Sequence, residues 1–337
     1  TTIVAVGTLI SAFWILSANS WMQTPVGFHL ADDGLFYPTD WLQVIFNPSF
    51  PYRFIHMIVA AYLTTAFMVA GVGAFYLLRQ RYVKHARVMF GMAMIMAVFV
   101  APLQLFFGDL HGLNTFKHQP AKVAAMEGIW ETERGAALRL FGWPDQAAET
   151  TLYAIEIPKL TSLILTHDLN GEVKGLKEWP SNERPPVALV FWMFRIMVGL
   201  GMLMIATGVI ALVLYWRKRL FDTPWFKWWC LAMMPSGFIA VLAGWFVTEV
   251  GRQPYMVYGV LRTADSASPV GGTPIAISLL AFVVTYGFVF GAGSYYIVKL
   301  IRKGPETTEG AKAYGDHGLK KPPVVGDPLS EKGGTHV

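Results

Sequence analysis

The chain has 337 residues, of which 54% are hydrophobic and 15% are charged, and its mean hydropathy is +0.43. Soluble domains carry about 25% charged residues, so this composition excludes an ordinary soluble protein and indicates a membrane protein. The 27 Lys and Arg residues exceed the 22 Asp and Glu residues by only five and lie in short clusters beside apolar runs, which argues against a nucleic-acid-binding surface. The single cysteine, Cys230, excludes a disulfide framework and cysteine-ligated zinc or iron–sulfur sites.

Six stretches are long and apolar enough to cross about 30 Å of hydrocarbon. They are residues 2–18, 54–78, 88–107, 187–216, 225–246 and 274–300. The sequence therefore predicts an all-α polytopic membrane protein with about six transmembrane helices in a bundle. The predicted regions are three helices in 1–107, an external loop domain in 108–186, three helices in 187–303 and a disordered cytoplasmic tail in 304–337.

Basic residues follow the second, fourth and sixth spans and so share one side of the membrane. They are Arg79, Arg81, Lys84 and Arg87; Arg217, Lys218, Arg219 and Lys227; and Lys299, Arg302 and Lys303. Because basic loops stay in the cytoplasm, the loops 19–53, 108–186 and 249–273 are expected outside, on the periplasmic side of a bacterial inner membrane.

Two further features are the start of the first span and the length of the segment 108–186. The first apolar run starts directly after Thr1, without the charged region or cleavage motif of a signal peptide, so we expect a chain that begins partway through a longer gene product. The segment 108–186 holds 11 of the 22 acids and includes a plausibly amphipathic stretch, 121–139. It is too long for a bare connection and is expected to form a small external domain.

Of the eight histidines, only His56 falls within a predicted span. A buried histidine can simply hydrogen-bond a neighbouring carbonyl. The functional alternative is an axial haem ligand, because neutral imidazole binds iron and a helix bundle can enclose a porphyrin.

Arg195 and Met197 lie in the fourth span. An arginine within a membrane costs about 2.5–3.5 kcal/mol on insertion scales, so Arg195 is expected to have a partner. Together with His56, Met197 suggests His/Met ligation of a low-spin haem, with Arg195 available to the haem propionates. The two residues are separated by about 200° around a helix, so the guanidinium would have to reach around the porphyrin edge.

Glu249 abuts the outer end of the fifth span, with Arg252 and Gln253 following on one helical face before Pro254. One interpretation is a local Glu–Arg pair that caps the span. We favour a metal or proton role, because carboxylates at such positions commonly mark proton paths, metals or substrates.

Lys122 and Glu127 stand five residues apart in the external segment, about 140° apart around a helix, so they cannot form the usual i,i+4 pair. A solvated charged face is one interpretation. The other is a site for a polar head group, with Lys122 donating a hydrogen bond and Glu127 accepting a proton.

Five blocks of the chain resemble subunit I of the cytochrome bd-type quinol oxidases, in the order found in that family. They are residues 14–25 (WILSANSWMQTP), 54–56 (FIH), 122–127 (KVAAME), 194–197 (FRIM) and 244–254 (GWFVTEVGRQP). The last block is the most specific. The short connection between Ile157 and Val187 is similar to the branch with a short quinol loop, the cyanide-insensitive oxidases.

The resemblance implies a role for each matching residue. His56 and Met197 would ligate the low-spin haem b, with Arg195 beside it, and Lys122 and Glu127 would belong to the external quinol site. The remaining matches are Glu249 at a high-spin haem, Arg252 and Trp245 close to that haem cluster, and Ser11 and Asn19 on a proton path. A high-spin haem b and a haem d are also implied, with a second membrane subunit and a small single-span subunit as partners.

The predicted function is that of a terminal oxidase subunit, which oxidises quinol outside, passes electrons through haems and reduces oxygen to water. Members of the family begin with further helices, one of which bears a haem-ligating histidine, and a separate chain is one source for these. The alternative is a truncated haem b and quinol-binding or assembly module without oxygen chemistry. A transporter that uses Glu249 and Arg252 is disfavoured, because the two halves show no broken-helix symmetry.

Overall fold

The computed structural model describes residues 2–32, 34–267 and 269–305, and the predicted tail lies outside these residues from position 306 onward. The helices are α1 (Thr2–Gln23), α2 (Trp41–Ile45), α3 (Phe50–Leu78), α4 (Val83–His118), α5 (Pro120–Glu127), α6 (Leu160–Thr166), α7 (Val187–Trp216), α8 (Pro224–Ala232), α9 (Ser236–Val250) and α10 (Gly272–Lys303). The strands are β1 (Phe28–Leu30), β2 (Phe36–Pro38), β3 (Glu133–Arg134), β4 (Leu138–Asp145), β5 (Thr150–Ile157), β6 (Glu172–Val173), β7 (Tyr255–Val257) and β8 (Leu261–Arg262).

The predicted fold class is confirmed, since the described part of the chain contains six helical segments that are long and apolar enough to cross a membrane. These segments are Thr2–Gln23, Trp41–Leu78, Val83–His118, Val187–Trp216, Pro224–Val250 and Gly272–Lys303. Strands occur only as short antiparallel pairs in the described residues: β1 with β2, β3 with β6, β4 with β5 and β7 with β8.

Helix α4 is longer than the apolar run that predicted it. The run ends at residue 107, whereas the helix continues for 11 more residues to His118. The apolar run ends before the charged residue Asp109, but backbone hydrogen bonding tolerates polar side chains, so the helix continues. His111 therefore lies inside a span candidate, and the prediction that His56 is the only such histidine was wrong.

The fifth predicted span is two helices rather than one. α8 ends at Ala232 and α9 begins at Ser236, with Pro235 at the position that precedes α9. Proline lacks the backbone N–H that would continue the hydrogen-bond ladder of α8 and clashes with the preceding turn, so the helix restarts after it.

The stretch 121–139 is not one amphipathic helix, and that prediction was wrong. α5 ends at Glu127 because Gly128 adopts a left-handed φ of 66° and closes the helix with bonds to the carbonyls of Ala124 and Ala125. The chain then forms a β4–β5 hairpin, in which Leu138 pairs with Ile157. All residues from 121 to 127 are buried, so α5 has no solvated face.

The unit Thr1–Ala276 is built on packing of α3 against α4, of α7 against α4 and α9, and of α8 against α3. Small residues permit close approach: a Cβ at Gly237 of α9 would lie 2.5 Å from Thr64 Cα, and one at Gly208 of α7 would lie 3.1 Å from the Ala97 carbonyl. Such contacts are typical of membrane helix bundles. The unit Ile277–Val337 contains, among its described residues, most of α10.

Candidate functional site

Helix α5 carries the two charged residues predicted for the external site, and both are buried. Lys122 is 4% exposed and Glu127 is 6% exposed. A fully buried charge is stable only when it is paired or hydrogen-bonded. The partners of the two residues therefore determine what each face of α5 can do.

Glu127 belongs to what we call the Arg195 cluster, formed by Glu127, Arg195 and two backbone carbonyls. Arg195 Nη2 lies 2.8 Å from Glu127 Oε2, and Arg195 Nε donates to the Arg139 carbonyl at 2.8 Å. Nη1 donates to the Met126 carbonyl, and the guanidinium lies 4.2 Å from the centre of the Phe191 ring. The prediction that Arg195 needs a partner is confirmed, and the partner is the acid predicted for the external site.

Glu249 belongs to a second group, the Glu249 cluster, which comprises Asn19, Arg53, Lys122, Glu249 and Arg252. Glu249 Oε1 accepts from Asn19 Nδ2 at 2.7 Å, and Glu249 Oε2 lies 2.6 Å from Arg252 Nη2. Asn19 Oδ1 in turn accepts from Arg53 Nη2. Glu249 therefore forms the local ion pair with Arg252 that was one of the two interpretations of the sequence. It also accepts a hydrogen bond from Asn19 of α1.

Lys122 reaches this second cluster from α5. Its Nζ donates to Gln23 Oε1 at 2.6 Å and to the Thr248 carbonyl at 3.2 Å. Burial, followed by the neighbouring charges of Arg53 and Arg252, holds the pKa of the Lys122 ammonium well below its ordinary value. Lys122 and Glu127 consequently face different clusters, and no hydrogen bond or ion pair joins them within the described part of the molecule.

His56 lies in α3 against α4. Gln104 Nε2 lies 3.2 Å from His56 Nε2, and the His56 and His111 rings have centroids 5.4 Å apart. Sequence reasoning missed His111, because it lies beyond the apolar run. His111 could have been found from its spacing in the sequence. It lies three residues after Gly108 and seven residues after Gln104, so a helix that continued past Gly108 would place it on the same face as Gln104.

Comparisons with known proteins connect these clusters to an enzyme family. Residues 1–305 match the family described as cytochrome bd terminal oxidase subunit I. The chain belongs to this family. It is 36% identical to the cytochrome bd ubiquinol oxidase subunit 1 of Bacillus subtilis (strain 168), over 90% of this chain and 67% of that protein. It is 31% identical to the cytochrome bd-II ubiquinol oxidase subunit 1 of Escherichia coli (strain K12), over 92% and 73%.

A solved structure supports the same assignment. The structure of bd oxidase from Geobacillus thermodenitrificans matches with a TM-score of 0.82 and 30% identity, over 90% of this chain and 69% of that chain. As a cytochrome bd subunit I, the chain is a multi-pass oxidoreductase subunit of a bacterial inner membrane. The relatives are named as subunit 1, which denotes one chain of a larger complex.

The residues predicted to hold haem in this cytochrome bd subunit fit that group. Histidine nitrogen and methionine sulfur are axial ligands of haem iron in cytochromes. A Cβ at Gly108 would lie 3.3 Å from His56 Cε1, and one at Gly244 would lie 2.7 Å from Met197 Sδ, so glycine leaves each donor the room that a larger residue would fill. Oε1 of Gln104, beside His56, is buried and unpaired within the described ranges.

Three predicted residues lie apart from the two clusters. Ser11 is on α1, two turns before Asn19, with an exposed side chain. Trp245 is on α9, one turn before Glu249, and is 40% exposed. Gln253 accepts a hydrogen bond from Thr263 Oγ1 at 2.8 Å, on the exposed side of the chain, and does not join Glu249 and Arg252.

Proposed function

We propose that the chain is the subunit of a terminal respiratory oxidase that oxidises quinol at the outer membrane face and reduces oxygen to water. Quinol gives up electrons and protons at α5, and oxygen takes up electrons and cytoplasmic protons, so charge is separated across the membrane. The names of the relatives as ubiquinol oxidases and the match over residues 1–305 support this proposal. The basic loops on the opposite side support an external position for α5.

The observation that carries the proposal is the placement of two buried charged groups on opposite faces of α5. Glu127 accepts a quinol proton, while Arg195 holds its carboxylate in place from α7. Lys122 donates a hydrogen bond to a quinol oxygen from a position fixed by Gln23 and the Thr248 carbonyl. Acid–base groups in fixed geometry are what proton release from a bound substrate requires.

Low-spin haem b is assigned to His56 and Met197, with Arg195 beside it. Bound there, a haem supplies one-electron transfer, and His/Met ligation raises its reduction potential. Arg195 lies two residues from Met197 on α7, so the residue that anchors Glu127 also fixes the helix that carries the sulfur ligand.

Glu249 is assigned to a high-spin haem, with Trp245 and Arg252 close to it, and a high-spin haem b and a haem d are the expected groups. Ser11 and Asn19 of α1 are assigned to a proton path, and the Asn19–Glu249 bond of 2.7 Å connects that path to the carboxylate. Expected partners are a homologous second membrane subunit and a small single-span subunit. The quinol loop is assigned to the outside and the carboxyl-terminal tail to the cytoplasm.

The quinol role is tested with Glu127→Gln, which keeps the shape and the hydrogen-bond acceptor but removes the base. Quinol oxidation should fall by about 10²–10⁴-fold with unchanged haem content, because general-base catalysis contributes on that order. The matched control is Glu131→Gln, an exposed acid paired with Lys177. Wild-type turnover in the Glu127 variant would remove this residue from the site.

The haem assignment is tested with His56→Ala and the reduced-minus-oxidised absorption spectrum. The low-spin haem signal should be lost, whereas it should persist in His85→Ala, an exposed histidine of α4. An unchanged spectrum in His56→Ala would contradict the assignment. Retained haem and quinol oxidation without any oxygen consumption by the complex would instead support the alternative of a haem-binding or assembly module.

A further inference from the structure

The Glu249 cluster contains more positive than negative charge. Arg53, Lys122 and Arg252 are 7%, 4% and 5% exposed, so each is more than nine-tenths buried. The acid that faces them is Glu249, and its ion pair is with Arg252. Burying an ionised group without an opposite charge is strongly unfavourable, because the group loses its hydration and gains no partner. The cluster therefore lacks negative charge.

Unpaired donors identify where this charge is missing. Arg53 Nε and both Nε and Nη1 of Arg252 are buried and have no hydrogen-bond partner in the described part of the chain. Arg53 Nη2 donates to Asn19, and Arg252 Nη2 pairs with Glu249. A buried donor without a partner has lost its hydrogen bond to water without a replacement, which is unfavourable, and more so when the donor is charged. These free N–H groups are the expected contacts of a ligand.

The surroundings of Lys122 show the same excess of positive charge. Its ammonium donates to two neutral oxygens, those of Gln23 and Thr248. Burial and the charges of Arg53 and Arg252 lower the pKa of Lys122, whereas the charge of Glu249 alone opposes them. An anion bound nearby would restore the balance and stabilise the ammonium form.

The Arg195 cluster is the internal comparison. There, Nε, Nη1 and Nη2 of Arg195 all donate, to Glu127 and to two backbone carbonyls. Arg195 is thus satisfied by the chain itself, whereas Arg53 and Arg252 are not. A buried arginine of this chain can therefore have a protein partner for each of its nitrogens, as Arg195 does.

We propose that Arg53 and Arg252 bind a buried oxyanion, a carboxylate or phosphate group, with Lys122 nearby. Guanidinium N–H groups match the planar or tetrahedral oxygens of these anions and form charge-assisted bonds with them. The group comes from one of two sources, a haem propionate or the head group of a phospholipid. The haem source rests on the proposed function, whereas the anion site itself does not.

The test uses the purified complex with Arg53→Gln and with Arg252→Gln, which remove the charge but keep polar side chains of similar length. The haem content is measured as pyridine haemochromogen and the bound phospholipid by mass spectrometry, each per mole of protein. Losing a charge-assisted bond of about 1.5–3 kcal/mol should weaken retention by about 10-fold or more. The control is Arg184→Gln, which removes an arginine whose partner, Glu149, lies 2.5 Å away.

The two sources give different results. Loss of haem at constant phospholipid content assigns the site to a propionate, and loss of one phospholipid at constant haem content assigns it to a lipid phosphate. Wild-type levels of both in both variants would overturn the proposal. Normal haem content with impaired quinol turnover in Glu127→Gln tests the proposed function separately, since Glu127 lies in the other cluster.

A conservative variant covers the case in which the glutamine variants fail to fold. Arg53→Lys keeps the positive charge but lacks the Nε donor, so its thermal midpoint should stay near that of the wild type. Retention of the same ligand should fall several-fold, by less than in Arg53→Gln. A ligand content equal to that of the wild type in Arg53→Lys would contradict a site built on the guanidinium donors.

Discussion

The two faces of helix α5 bury charged residues in contrasting surroundings. On one face, Glu127 meets Arg195, whose three guanidinium nitrogens each donate to a protein oxygen. On the other face, Lys122 joins two arginines with unpaired N–H groups and a single carboxylate. The Arg195 cluster is complete within the chain, whereas the Glu249 cluster needs an additional anion.

The difference indicates which cluster has its charges matched by the chain itself and which has donors left for an additional ligand. A matched buried pair ties α5 to α7, and removing either partner leaves a charge without compensation. Buried charge without compensation lowers stability. The unpaired arginines of the Glu249 cluster are therefore expected to serve a function, which is to bind a ligand. Substitutions in the two clusters should therefore have different consequences.

The largest effect is expected for Arg195→Met, which keeps much of the apolar bulk but removes the guanidinium. Glu127 would remain buried without its cation, so the free energy of unfolding should fall by about 3–5 kcal/mol. Thermal unfolding of the purified complex in detergent measures this change. Arg134→Met, in a surface pair whose side chains are 79% and 48% exposed, should change stability by at most about 1 kcal/mol. Equal effects of the two substitutions would contradict a structural role for the Arg195 cluster.

A smaller effect is expected for Gly251→Ala, which disturbs the other face of α5 without changing any charge. The added Cβ would lie 2.3 Å from the Val247 carbonyl and 3.0 Å from Lys122 Cγ, so the lysine has to shift. We expect a loss of about 1–3 kcal/mol of stability, together with reduced quinol oxidation. Gly199→Ala on α7 is the control, because nothing lies within 4 Å of its Cβ position. An active and fully stable Gly251→Ala protein would show that the position of Lys122 is unimportant.

The smallest effect concerns coupling between the two faces. Lys122 and Glu127 share no hydrogen-bond partner, so the stability changes of Lys122→Gln and Glu127→Gln should add to within about 0.5 kcal/mol in the double variant. The losses in quinol oxidation should not be additive, because in the proposed site one quinol contacts both residues. The free energies of unfolding and kcat/KM of all four proteins measure both quantities. Additive losses in kcat/KM would indicate that the two residues act on separate steps.

The helical fold could be predicted from hydrophobicity because transmembrane helices must be long and apolar. The run 187–216 coincides with α7, since apolar residues fill that helix to both ends. The end of α4 could not be predicted in this way, because polar residues such as Asp109 continue a helix without prolonging an apolar run. His111 was missed for the same reason.

The sequence pointed to individual residues for a candidate site but not to the contacts between them, and it did not point to Arg53. The cost of an arginine in a membrane indicated that Arg195 has a partner, and the structure identifies Glu127, which is 68 residues away in the sequence. Similarly, the Asn19–Glu249 bond joins residues that are 230 positions apart. Contacts of this kind depend on how helices pack, which the periodicity of one segment does not specify. The unpaired donors of Arg53 and Arg252 were equally invisible in the sequence.

The most direct test of the account is the reduced-minus-oxidised spectrum of the complex that contains this chain, recorded with and without carbon monoxide, for the wild type and for Glu249→Ala. Carbon monoxide binds haem iron with an open coordination position, whereas a haem with two axial protein ligands does not respond. We predict a carbon-monoxide-sensitive signal that Glu249→Ala abolishes or alters and a low-spin signal from His56 and Met197 that it leaves in place. An unchanged carbon-monoxide response in Glu249→Ala, or a wild-type complex without haem, would contradict the account.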